Sequence, residues 1–482
     1  MTALDSIDHL VVLMLENRSF DHMLGFLYPA SDQFDGLNGT ETNEDTEGNP
    51  VSVFEITPTM QNAYWYPLCN PAEGYSATNM QLFGSTVPPD PPTATNSGFV
   101  MSFESALAKP VDAPLAGASA SSCMGIYTPT MLPIISGLAK GYAVCDAWFA
   151  SVPSETMPNR AFALAGTSLG QLKDTPKFFD TKSIFGALTD QQVSWKIYGY
   201  SAQPYTQMDF PDTRSAPSSQ FGLFSDFVSD ARNGTLPAFS FLEPEWANYR
   251  EPTLINDQDE NDQHPVSSLA KGEQFIYDTY QSLRAGRWDK TLFVLTYDEH
   301  GGCYDHVPPP LGAVAPDNNV SDQGFDFTRF GVRVPTVLIS PLIPPGTIYR
   351  APAGGPPFDH TSLLATIRQR WGAGPLTKRD SAAPDIGSVL TLGNPRTDDP
   401  LDGVQPPAYA APVGARAAAL GTRTTRVLSA YARKAAELPV PGSAIKDPVR
   451  AVANLQTAAD HRHFIEDRII RWNAAKTGAA SS

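Results

Sequence analysis

Residues Ile7–His22 read IDHLVVLMLENRSFDH, and the architecture follows from how this stretch is parsed. Ile7–Leu15 is an almost unbroken apolar run without polar alternation, which reads as a strand buried on both faces. It stops at Glu16-Asn17-Arg18-Ser19, where Ser19 is placed to cap a helix through Phe20–Tyr28 (FDHMLGFLY). Thr291–Val307, TLFVLTYDEHGGCYDHV, has the same design: an apolar strand to Tyr297 that ends in adjacent acids, Asp298-Glu299. Val193–Tyr198, Ala238–Leu242 and Val334–Ser340 are further strand candidates, with helix candidates at Gly272–Arg284 and Ser362–Trp371. Strands alternating with helices predict an α/β fold whose mainly parallel sheet is sandwiched between helices. In such sheets ligands bind beyond the carboxyl ends of the strands.

Around this frame, residues 31–100 are rich in Asn, Thr, Pro and Gly and read as a long excursion of loops. Residues 1–375 are expected to form the main body. Residues 376–413, dense in Pro, Ala and Asp, read as a linker or extended wrap. Residues 414–482 read as a helical C-terminal extension with two patterns, Ala415–Leu438 and Val449–Ala475. There are no internal repeats.

The 482 residues are 41% hydrophobic and only 18% charged, enough apolar material for a packed core. A net charge of −17 disfavours non-specific nucleic-acid binding, which needs cations to displace counterions. The charge is uneven: from Gly414 onward there are 11 Lys and Arg against 5 Asp and Glu, a balance of +6 that leaves −23 on the preceding chain. That asymmetry fits a tail docking on an acidic body, a tail touching an anionic surface, or ordinary amphipathic helices. Cys69, Cys123, Cys145 and Cys303 have neither CxxC nor zinc spacing. Leu10–Leu15 is too short to cross a bilayer, and Asp5 and Asp8 stand where a signal peptide needs basic residues. Retention in the cytoplasm, a trimmed leader and another export route all stay open.

Three segments carry chemistry. Glu16-Asn17 at one strand end and Asp298-Glu299 at another offer oxygen donors suited to a hard cation, and adjacent buried carboxylates need a metal or a basic partner. In Val152-Pro153-Ser154-Glu155-Thr156-Met157-Pro158-Asn159-Arg160, Pro158 suits the first turn of a helix. Thr156 would then sit where free N–H groups favour an alkoxide or phosphate. The plain alternative is that Thr156 only caps the helix. Six of the eight histidines (His9, His22, His264, His300, His306 and His360) lie near these segments or in the short polar stretches NDQHP and FDHTS. They are candidates for phosphate binding or leaving-group protonation.

Taken in order, ENRSFDH, VPSETMPNR, NDQHP, YDEHGGCYDHVPPP and FDHTSLL resemble the bacterial phospholipase C/acid phosphatase family of phosphoesterases, within the alkaline-phosphatase-like superfamily. The resemblance covers roughly residues 7 to 372. It implies an alkaline-phosphatase-like fold and metal ligands at Glu16, Asn17, Asp298 and Glu299. It implies a nucleophile, also touching the metal, at Thr156, and a phosphate contact or general acid at His264. Asn159, Arg160, His306 and His360 are expected as substrate contacts. One divalent ion is implied, and the all-oxygen donor set favours Ca²⁺ or Mg²⁺. The implied reaction is hydrolysis of a phospholipid or small phosphate ester through a phosphothreonine. Transient contact with a membrane surface and an exported or periplasmic location go with it. Glu155 departs from the family's frequent Val-Pro-Gly-Pro-Thr, and no histidine lies between His22 and His264, where some members carry one.

Three rivals can be weighed on residues. Thr156-Met157-Pro158-Asn159-Arg160 has the outline of a sulfatase signature, but threonine cannot be oxidised to the required aldehyde. Gly166-Thr167-Ser168-Leu169-Gly170 matches the G-x-S-x-G elbow of serine lipases, yet it follows a predicted helix where the elbow needs a strand. A dead scaffold would lack a ligand or the nucleophile, and none is missing. Tyr64, Trp65 and Tyr66 fit either a cage for a quaternary ammonium headgroup or ordinary packing.

Overall fold

The structure, a computed structural model, describes residues 3–111, 113–246, 260–413 and 426–479. The first apolar run forms strand β1 (His9–Leu15), buried at every position. The other sheet strands are β2 (Ala143–Cys145), β3 (Trp195–Gly199), β4 (Phe221–Leu223), β5 (Phe239–Leu242), β6 (Thr291–Tyr297), β7 (Thr336–Ile339) and β8 (Thr347–Ile348). Among the described residues they form one eight-stranded sheet in the order β8-β2-β7-β6-β1-β5-β3-β4. Only β7 runs against its neighbours. Successive residues of a strand face opposite sides of a sheet, so the complete burial of β1 and β6 means that both faces are covered there. The expected α/β fold with a mainly parallel sheet is what the chain adopts.

Every long apolar run read as a strand is one. The short strands β2, β4 and β8 carry no comparable run, and neighbouring strands hold them in place. Helix α1 (Phe20–Leu24) starts at Ser19, whose Oγ accepts the His22 N–H. It ends at Gly25, well short of the expected Tyr28, because the chain turns there to pair Leu37 N–H with the Gly25 carbonyl at 2.8 Å. Residues 31–100 hold more order than expected: a hairpin (Thr42–Glu44 with Pro50–Ser52) and helix α2 (Tyr75–Phe83). Long-range contacts hold α2, with Asn79 Oδ1 accepting from Arg329 and Gln81 donating to Ser102 Oγ and the Ala72 carbonyl. Helices α3 (Thr156–Ala165), α4 (Leu269–Arg284) and α5 (Thr361–Trp371) begin within a few residues of their expected starts.

Residues 376–413 lie along the body. Arg396 donates to the carbonyls of Gly141 and Ile343, Trp65 donates to the Ala410 carbonyl, and Val413 N–H meets Asn62 Oδ1. Of the first predicted C-terminal helix, residues 415–425 lie outside the described residues, and α6 spans Arg426–Glu437. The second divides into a short turn, Pro448–Val452, and α7 (Ala458–Ala479), because Thr457 and Asp460 cap a new start. Val427, Leu428 and Tyr431 of α6 and Ile465, Ile469 and Trp472 of α7 belong to the same buried core as the sheet. Lys434 pairs with Asp209 at 2.6 Å and Arg462 with Glu245 at 2.5 Å, so basic residues of the extension meet acids of the body. No helix of the described residues is long and apolar enough to cross a membrane.

A charge network ties α1 to the loop after β6. Fully buried Arg333 donates to Asp305 Oδ1 at 2.9 Å, to Asp21 Oδ1 at 2.8 Å, and to the carbonyls of Asp35 and Asp146. His306 meets Asp21 at 2.6 Å and Asp35 at 3.3 Å. The cluster of Asp21, Asp305 and His306 has metal-like spacing, but Arg333 already supplies its countercharge. Burial disfavours a proton on His306, yet the hydrogen bonds and charges of Asp21, Asp35 and Asp305 outweigh it and push its pKa up to about 10. A raised folded pKa means the stabilisation is fully present below the unfolded value of 6.5 and is lost as pH rises through about 10. Denaturant unfolding at successive pH values should therefore show stability falling across that interval. The fall should be shallower in His306→Gln; an identical profile in the variant would remove His306 as its source.

Candidate active site

Strands β1 and β6 run in parallel register from His9↔Thr291 to Leu15↔Tyr297. The acids that follow, Glu16 and Asp298-Glu299, therefore leave the sheet side by side, at most 3% exposed. Between them Asn17 takes a left-handed backbone, φ 57°, which Asn tolerates better than most residues. Its N–H donates to Asp298 Oδ1 at 3.0 Å. The loop after β6 passes so close that a Cβ on Gly301 (φ 61°) would lie 2.1 Å from the Asn17 carbonyl oxygen, hence glycine there.

Thr156 is the first residue of α3, with Glu155 as N-cap. Its Oγ1 donates to Asn17 Oδ1 at 3.3 Å, while Asn17 Nδ2 donates to Glu73 Oε2 at 2.8 Å. Arg160, four residues on and on the same helix face, donates to Asp298 Oδ2 at 3.1 Å and to the carbonyls of Met14 and Leu15. It lies 3.9 Å from Glu16 Oε1 and stacks over Trp246 at 4.3 Å. Its Nη1 has no partner among the described residues. The structure thus brings Glu16, Asn17, Thr156, Arg160, Asp298 and Glu299 together.

The acids outnumber the cation. Burial, then the charges of Asp298 and Asp262, push Glu16 well above the usual carboxylate range, with Arg160 offsetting part of this. Burial, with Glu73 and Asp298, does the same to Glu299. Glu16 Oε1 and Glu299 Oε1 take no hydrogen bond among the described residues. Buried carboxylate oxygens left bare are costly. A donor set made only of oxygens fits a hard divalent cation.

His264 sits at a cleft of about 300 Å³ lined also by Glu73, Tyr75, Glu155, Asp174 and Arg426. Its Nδ1–H points to the Pro265 carbonyl at 2.5 Å, and its Nε2 lies 3.6 Å from Glu73 Oε2. Asp262 Oδ1 accepts its backbone N–H at 2.9 Å. His360 lies underneath: Nε2–H donates to the Asp298 carbonyl at 2.5 Å and Nδ1 accepts from Trp148 at 3.3 Å. Burial lowers its pKa, so a neutral ring props the backbone of Asp298.

Two other expected substrate contacts are placed elsewhere. The Asn159 amide holds the turn before the helix, accepting from Val152 N–H and donating to the carbonyls of Val152, Ser154 and Glu155. His306 belongs to the Arg333 network. Of the remaining clustered histidines, His9 bonds the Pro237 carbonyl, His22 meets Arg18, and His300 bridges Gln81 and Glu299. The aromatics of residues 64–66 pack: Trp65 is 3% exposed against Tyr409, and Tyr66 lies edge-on to Phe54. Ser168 follows the C-cap of α3 and donates to the Gln171 carbonyl, so it heads no nucleophile elbow. Sequence reading missed Glu73, Asp174 and Arg426, which sit in segments without periodicity or motif.

The chain matches the model of the Phosphoesterase family over residues 7–374. It is 35% identical over 418 residues to non-specific phospholipase C5 of Arabidopsis thaliana, covering 81% of this chain and 75% of that one. It is likewise 35% identical over 419 residues to non-specific phospholipase C4 of the same plant, covering 81% and 73%. With phospholipase C B of Mycobacterium tuberculosis (strain ATCC 25618 / H37Rv) it shares 28% over 456 residues, covering 81% and 79%. A solved structure of a protein in the alkaline phosphatase superfamily from Vibrio parahaemolyticus aligns with 11% identity and a TM-score of 0.31 over 54% of this chain and 64% of that one, too loose an overlap to bear on the site. A strand-end cradle of acids, a helix-start hydroxyl and a family match spanning both make the chain a phosphoric ester hydrolase that belongs to the phosphoesterase family.

Proposed function

We propose that the chain is a phospholipase C that cleaves phospholipids on the glycerol side of the phosphate through a phosphothreonine at Thr156. One observation carries the reading. The Thr156 hydroxyl is bonded to Asn17, which is bonded in turn to Asp298, so three distant segments converge on one buried point flanked by two bare carboxylate oxygens. The relatives whose names specify phospholipase C support the substrate class.

Glu16, Asn17, Asp298 and Glu299, with Thr156, are the residues that would hold a divalent ion. Bound there, Ca²⁺ or Mg²⁺ would acidify the Thr156 hydroxyl and screen the charge of the phosphate. The N-terminus of α3 favours the negative charge that builds on the phosphoryl oxygens. Thr156 Oγ1 forms the bond to phosphorus as the glycerol oxygen departs on the opposite side, and the hydroxyl proton leaves to water. Protonated His264 donates to the departing oxygen. Water then attacks phosphorus, the neutral His264 takes its proton, and the Thr156–phosphorus bond breaks as Oγ1 regains a proton from water. Arg160 keeps Asp298 and Glu16 in place throughout. Monoester hydrolysis would use the same groups and is the alternative outcome of the product assay.

Three results are expected. Phosphorus NMR of the products from phosphatidylcholine should show phosphocholine that is lost with a chelator and restored by Ca²⁺ or Mg²⁺; inorganic phosphate from a simple monoester alone would redirect the substrate assignment. Thr156→Val should abolish turnover while its melting temperature stays near that of the parent; hydrolysis at the parental rate would falsify the nucleophile. His264→Ala should lose on the order of 10²–10⁴-fold in kcat, and less on nitrophenyl esters, whose leaving group needs no proton. An equal loss on both substrates would make His264 a phosphate binder.

A further inference from the structure

Directly before the nucleophile stands a carboxylate. Glu155 is 2% exposed, and both of its oxygens accept: Oε2 from the Asp174 N–H, Oε1 from Arg426 Nη1 at 2.9 Å. The guanidinium of Arg426 thus makes Glu155 one half of an ion pair at the edge of the cleft. Glu73 and Asp174 line the same cleft, which therefore gathers three acids beside His264. Like charges facing each other across a binding site oppose association.

The cation on Glu155 comes from far away in the chain. Arg426 is the first described residue of α6, 271 residues after Glu155, and its side chain remains 66% exposed at the rim of the cleft. Its neighbour Val427 is 5% exposed, lines the same cleft and belongs to the main core with Leu428 and Tyr431. The backbone at this point is therefore anchored while the guanidinium is free to face the cleft. Lys173, also on the rim, lies 3.5 Å from Asp322. Among the described residues Arg426 is the side-chain cation bonded to Glu155.

We propose that Arg426 is a positioning residue of the active site. Docked by the C-terminal extension, it neutralises Glu155 and so lets the cleft beside Thr156 accept an anionic phosphate ester. This rests on Thr156 being the nucleophile. The extension thereby completes the electrostatics of the site, and an enzyme without it would be left with a bare carboxylate next to its attacking hydroxyl.

The test compares Arg426→Ala, Arg426→Gln, Arg426→Lys, Glu155→Gln and the double variant R426A/E155Q in the full chain. It reads KM and kcat on phosphatidylcholine micelles and the inhibition constant of inorganic phosphate. Arg426→Ala and Arg426→Gln should raise KM and weaken phosphate inhibition on the order of ten-fold, the scale of one uncompensated charge at a half-screened site, with kcat little changed. Arg426→Lys should recover most of the loss, and R426A/E155Q should return both constants toward the parent. Unchanged constants in the first two variants would overturn the proposal. So would a loss that Glu155→Gln does not relieve, since Arg426 would then be a structural peg or a direct ligand of the substrate. Phosphate binding to Thr156→Val, with and without Arg426→Ala, separates this question from the identity of the nucleophile: turnover by Thr156→Val sinks that assignment and leaves the binding comparison intact.

Discussion

The parallel register between β1 and β6 is the constraint on which the rest depends. Because Leu15 lies opposite Tyr297, two apolar strands discharge Glu16, Asp298 and Glu299 into one dry volume. Desolvating like charges together costs several kcal/mol per ion, and the surroundings are arranged to meet that cost. Helix α3 sets Thr156 against Asn17 and, one helical turn on, Arg160 against Asp298 and Glu16. A slip of one residue in the register would send Glu16 to the other face of the sheet and leave both side chains of α3 without partners.

Two buried arginines organise charge in this molecule, and the contrast between them separates support from chemistry. Around Arg333 every carboxylate finds a donor, since Asp21, Asp305 and Asp35 share one guanidinium and one imidazole. Around Arg160 the count falls short, with Glu16 Oε1 and Glu299 Oε1 left bare. Both arginines are buried among carboxylates. What differs is completeness: the network around Arg333 is satisfied, whereas the one around Arg160 leaves acceptor oxygens open.

Much of this was legible in the chain itself. The runs at Ile7–Leu15 and Thr291–Tyr297 announced the two central strands because burial on both faces demands unbroken apolarity, and the acids ending them marked the site. Pro158 in the first turn marked the helix that presents Thr156. The short strands Ala143–Cys145, Phe221–Leu223 and Thr347–Ile348 left no periodic signal, since two or three residues cannot show one. Helix Tyr75–Phe83 hid in a polar stretch because its stability comes from Arg329 and Ser102, far away in sequence or in another element. Glu73 and Arg426 were invisible for a related reason: a lone acid before a glycine and a lone arginine on a helix acquire meaning only from what the fold sets beside them. His306 and Asn159 are engaged within the chain, by an ion pair and by the turn before the helix, as polar residues inside a motif often are.

The strand made first is the strand in the middle. HLVVLML is synthesised well before either lateral neighbour, of which one comes with Phe239–Leu242 and the other with Thr291–Tyr297. Until the first of them is made, this apolar segment has no native strand edge to join. Folding of this topology is thus dominated by late, long-distance pairing, which slows it and exposes the nascent chain to misassociation. The centre of the sheet can form only once that segment has stayed unpaired long enough for both neighbours to appear.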